Sequence, residues 1–121
     1  MASHGEIVMR AGPASSRQRA AELISTTVAA AFTVPVSELR ASSRRRAPVA
    51  LARQSAMYLA HVTLGLTFAE VGRVFGRDRT TAAHACRKIE DRRTEVQLDA
   101  ALAELEQALR RDLVMARGVR S

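Results

Sequence analysis

The residues in this chain best suited to chemistry lie together between Gly76 and Lys88. Gly76-Arg77-Asp78-Arg79-Thr80-Thr81 is followed by His84, Arg87 and Lys88. Arginines, hydroxyls and a carboxylate at the start of a helix match what base edges and phosphates require. Other chemistries find less support. His84 and Cys86 are two apart on a helix and cannot converge on one metal ion, and His61 stands alone. Cys86 shares a face with Ala82 and Ile89, which marks it as a small core residue. Lys88 is the only lysine, and no Gly-x-x-x-x-Gly-Lys precedes it, so no ATP site is expected. No catalytic constellation, cofactor or metal is expected, and the chain reads as a non-enzyme.

Two helices must hold these residues. Thr67 and Glu70 have capping-box spacing, which predicts a helix from Phe68 with Val71, Val74 and Phe75 inward. Gly76 stops it, and Asp78 caps a second helix starting at Arg79. At about 100° per residue, Ala82, Ala85, Cys86 and Ile89 face inward. Thr80, His84 and Arg87 face outward, with Ala83 and Lys88 flanking. This is the pattern of a helix-turn-helix, and equally that of a helical pair with a solvated basic face.

The run Gly76 to Thr81, then His84-Ala85-Cys86-Arg87-Lys88-Ile89-Glu90, resembles the signature of the C-terminal DNA-binding domain of the bacterial replication initiator DnaA. Upstream, Arg53-Gln54-Ser55-Ala56-Met57-Tyr58-Leu59 is similar to another family segment. Two departures stand out. There is one glycine where the family has two, which shortens the turn. Arg79 stands where the family has a histidine directed at the bases. The resemblance covers about residues 18–110. It implies that Arg53 and Gln54 face the DNA backbone and that Arg45, flanked by Arg44 and Arg46, enters the minor groove. It also implies that Arg77, Asp78, Arg79, Thr80 and Thr81 carry base and phosphate contacts. Ala83 is placed to touch a thymine methyl, while His84, Arg87 and Lys88 are partner-facing, phosphate-facing or simply a solvated face.

The bulk numbers agree. With 121 residues, 47% hydrophobic but 3% aromatic, the chain suits one all-α domain. Net charge is +7, unevenly placed. Residues 40–93 hold twelve Arg or Lys against four acids, a net +8, while 1–39 are neutral and 94–121 are net −1. That concentration suits a polyanion partner. One cysteine and the lack of a long apolar run fit a cytoplasmic, nucleoid-associated protein with no membrane contact.

Residues 1–16 read as a loose arm, 17–93 as the helix-turn-helix domain, and 94–121 as a C-terminal helix and tail. Within the domain, a helix over 17–32 should bury Ile24, Val28, Ala31 and Phe32. The segment Val36–Arg40 should form a short turn with Val36 and Leu39 inward. A helix over 48–64 should bury Val49, Ala52, Ala56, Leu59 and Ala60. A final helix, about 95–116, carries Leu98, Leu102, Leu105, Leu109 and Leu113. The 4-3-4 spacing of the first four suits packing on the chain's own core and also allows a weak homodimer. The reading is a protein that binds double-stranded DNA at initiator-box-like sites and regulates replication or transcription. Its rivals are a transcription regulator with an unrelated operator and a helical protein-interaction module.

Overall fold

A computed structural model describes residues 14–40 and 47–118. Within them the chain forms six helices and no strand: α1 Ala14–Phe32, α2 Val36–Arg40, α3 Ala47–Leu64, α4 Phe68–Phe75, α5 Arg79–Arg92 and α6 Val96–Gly118. The expected helices are all present, with α1 beginning ahead of Arg17.

α3 is the axis of the fold and packs against each of the other five helices. Its sequence explains this role. Val49, Ala52, Ser55, Ala56, Met57, Tyr58, Leu59, Ala60, Thr63 and Leu64 are buried, and the small side chains among them let neighbours approach closely. Thr63 satisfies its hydroxyl by donating to the Leu59 carbonyl at 2.6 Å. At its end the His61 Nδ1 lies 2.7 Å from the Leu66 carbonyl, and the ring stacks on Phe68 at 4.6 Å between centroids. These contacts turn the chain into α4.

α1 buries Ala21, Ile24, Ser25, Val28 and Ala29. Ala31 lies at the edge of that stripe and is exposed, against expectation, while Phe32 is partly covered. The helix closes through Val34 N–H to the Ala29 carbonyl at 3.0 Å, which holds Thr33 at φ 57°. In α2, Leu39 is buried but Val36 is 44% exposed. A five-residue helix is too short to cover both ends, so only half of that expectation holds.

α6 lays Leu102, Leu105, Leu109 and Leu113 into the common core, with Leu98 partly covered beside them. The leucine seam is thus used within the chain. Arg93, at the end of α5, fastens α6 in place. It donates to Tyr58 Oη at 3.0 Å, Glu106 Oε2 at 2.6 Å and Asp99 Oδ1 at 2.6 Å. Burial disfavours its charge, but the bonds to Tyr58, Asp99 and Glu106 outweigh that and raise its pKa further. One guanidinium therefore ties α5, α3 and α6 together.

Arg93→Met keeps the length of the side chain and deletes its donors, stranding Glu106 and Asp99. Because Asp99 is half exposed, the cost should fall below that of a fully buried pair, at about 1–3 kcal/mol. Urea unfolding checks this; an unchanged midpoint would show that apolar packing alone holds α6.

Candidate nucleic-acid interface

α4 starts as its sequence dictates. Thr67 Oγ1 accepts the Glu70 N–H at 3.1 Å, and the Glu70 carboxylate accepts the Thr67 N–H at 2.9 Å. Val71 and Phe75 are buried and Val74 packs beside them. Gly76 ends the helix in the left-handed region, at φ 69° and ψ 34°. The turn then closes through the Arg77 N–H, which donates to the Gly72 carbonyl at 2.7 Å.

Gly72 makes that closure possible. A Cβ there would lie 2.5 Å from the Arg77 carbonyl oxygen and 3.0 Å from the Asp78 carbonyl group. Both obstacles are backbone, so neither can swing aside. The two helices meet at a distance that only a bare Cα allows. The chain reaches α5 with one glycine in the turn proper, at Gly76.

Asp78 caps α5. Its Oδ1 accepts the Thr81 N–H at 2.7 Å. That backbone bond, with help from the Thr81 hydroxyl, holds the carboxyl pKa below its usual value. Behind the cap, Ala82, Ala85, Cys86 and Ile89 are buried as their spacing implies. Burial pushes the Cys86 thiol up to about 11; the Glu90 charge adds to this and the Arg87 charge opposes it. The cysteine is therefore an uncharged packing group at neutral pH. Among the described residues no group of three or more His, Cys, Asp or Glu is placed to hold a metal.

The outward residues of α5 make one continuous polar face. Asp78, Arg79, Thr80, Thr81, His84, Arg87 and Lys88 are all exposed. Other expected contacts are placed differently. Ala83 is only 6% exposed, so most of its methyl is covered by the chain. Arg77 is half-buried, with Nη1 folded back toward the carbonyls of Phe75 and Gly76 at 3.4 and 3.3 Å. Arg53 is also half-buried: its Nε and Nη2 donate to the Leu39 and Glu38 carbonyls at 3.3 and 2.8 Å, closing the end of α2. These bonds give Arg53 a positioning role at the end of α2. Gln54 is half-buried beside it. Arg44, Arg45 and Arg46 lie outside the described residues.

Three residues that support this face were missed in the sequence. Gly72 was readable as an odd glycine within a helix. Arg93 and Gln18, whose Nε2 donates to the Val74 carbonyl at 3.4 Å across 56 residues, gave no local signal.

Comparison with known proteins agrees with this geometry. Residues 21–89 match the family described as the bacterial DnaA protein helix-turn-helix. The chain is 42% identical over 97 residues to the chromosomal replication initiator protein DnaA of Burkholderia multivorans, covering 78% of this chain and 18% of that protein. It is 43% identical over 98 residues to the same-named protein of Bordetella pertussis, covering 79% of this chain and 21% of that one. It thus spans about a fifth of the length of these curated relatives.

The Asp78 cap has a pH signature. Its native pKa is lowered, so its charge stabilises the fold fully above the unfolded carboxyl value of about 4. That contribution fades as pH falls through the lowered native value. Asn caps too but does not titrate. The stability difference between wild type and Asp78→Asn, measured by urea unfolding from neutral pH into acid, should therefore shrink as pH falls. Arg92 Nε also pairs with Glu95 Oε2 at 2.9 Å and lowers that carboxyl's pKa, but this pair is common to both proteins and cancels. A difference constant across pH would contradict an ionised cap.

Proposed function

This chain belongs to the bacterial DnaA helix-turn-helix family, and we propose on that premise that it binds double-stranded DNA with α5 in the major groove. The observation carrying this is the face of α5. One side is buried from Ala82 to Ile89, and the other presents Arg79, Thr80, Thr81, His84, Arg87 and Lys88 from a capped helix end. A second helix with that polarity is the element that enters a groove in helix-turn-helix proteins.

The target is a site related to the initiator's recognition boxes, and occupancy there regulates replication initiation or a promoter. Support comes from the relatives named as replication initiators and from the shared His84-to-Glu90 run. An operator of different sequence is the second reading, favoured by Arg79 and by the single glycine at Gly76. A module that binds only protein fits less well, because the leucine stripe of α6 is already covered. Such a module also has no use for the net +8 of residues 40–93.

Duplex binding should weaken steeply with salt, each neutralised phosphate adding about −0.9 to the slope of log affinity against log salt. Arg87 is exposed a full two turns along α5, where the groove wall runs. Arg87→Ala should weaken all sequences alike and flatten the slope by about one unit. Fluorescence anisotropy on duplexes with an intact or scrambled initiator box reads both effects. Salt-independent binding, or none, would refute the proposal; equal affinity for the two duplexes would favour the unrelated operator.

A further inference from the structure

We infer that Arg79 reads a guanine in the major groove and thereby sets one position of the preferred DNA sequence. This deepens the proposed function and rests on α5 being the helix that enters the groove.

Two arginines lie beside the tip of α5, and the structure treats them differently. Arg77 is half-buried and folded onto the carbonyls that end α4. Arg79 is exposed, is the first residue of α5, and has no hydrogen-bond or ion-pair partner among the described residues. Its guanidinium is thus available to a ligand without breaking any of the contacts that hold the turn.

The question is whether that ligand is a phosphate or a base. A bare helix N-terminus attracts phosphate through its unpaired N–H groups and its dipole. Here the Asp78 carboxylate already occupies that place, bound to the Thr81 N–H at 2.7 Å. An anion sitting there repels a second one, so the tip of α5 is a poor phosphate site and a good match for the groove floor. Thr80 and Thr81 are short, and Ala83 is covered. Arg79 is the one long side chain on this first turn. Its planar fork matches the two acceptors of guanine, O6 and N7, and no other base offers that pair.

The test is selection of bound duplexes from a random pool, run with wild type and with Arg79→Gln. Glutamine pairs with adenine in the same bidentate way. The wild type should enrich a guanine at one position, and Arg79→Gln should replace it by adenine or lose preference there, leaving the other positions intact. Single-base variants of the winning duplex should show discrimination of about tenfold or more at that position for the wild type. Matching thermal melts confirm that the exposed substitution leaves the fold unchanged. If both proteins select the same sequence, Arg79 does not read a base and the inference falls while DNA binding stands. If the wild type enriches no sequence, the inference falls too; salt-dependent retention of the unselected pool then shows whether duplex binding survives.

Discussion

The approach of the Gly72 backbone to the carbonyls of Arg77 and Asp78 is the constraint on which the rest depends. At 2.5 Å from a hypothetical Cβ, the contact leaves no room for any side chain. It brings the end of α4 against the start of α5, and the Arg77 N–H to Gly72 carbonyl bond locks it. Gly76 supplies the left-handed step between them. Once the turn is closed, the orientation of Asp78 follows, and with it the direction of the first turn of α5.

What holds this hairpin in the molecule is α3, helped by two long polar side chains. α3 receives the buried face of α5 on small residues, so Ala82, Ala85 and Cys86 come close. At the far end of α5, Arg93 spans to Tyr58, Asp99 and Glu106. At the near end, Gln18 reaches from α1 to the Val74 carbonyl at the close of α4. The polar face of α5 is therefore carried by a helix pinned at its far end and joined at its near end to a fastened α4. That suits recognition, because a base contact is lost when its side chain is presented loosely.

Local rules made part of this legible in the sequence. The capping box at Thr67, the stop at Gly76 and the cap at Asp78 each involve residues within one turn, and each appears in the structure where its spacing put it. The inward face of α5 was equally readable, since burial there follows helical period. Side chains acting over long sequence separations were not readable. The part Arg53 plays in closing α2 gave no local signal, because the carbonyls of Glu38 and Leu39 arrive from another helix. Val36 obeyed the period but fell beyond the reach of the core. Ala83 sat on the flank of the outer face by angle, and the packing around it covers it. The leucines of α6 fitted a seam and a core equally, and only the assembled fold chose the core.

The central claim, that a turn too tight for a Cβ presents α5 to DNA, is tested most directly at Gly72. Gly72→Ala forces the Arg77 carbonyl to move, an overpacking that should cost about 1–3 kcal/mol of stability. The decisive measurement is duplex affinity of this variant under conditions where circular dichroism shows it folded. The account expects helical content to persist while sequence-specific binding is lost, because α5 no longer sits at the angle its contacts need. A folded Gly72→Ala protein with wild-type affinity and specificity would contradict it.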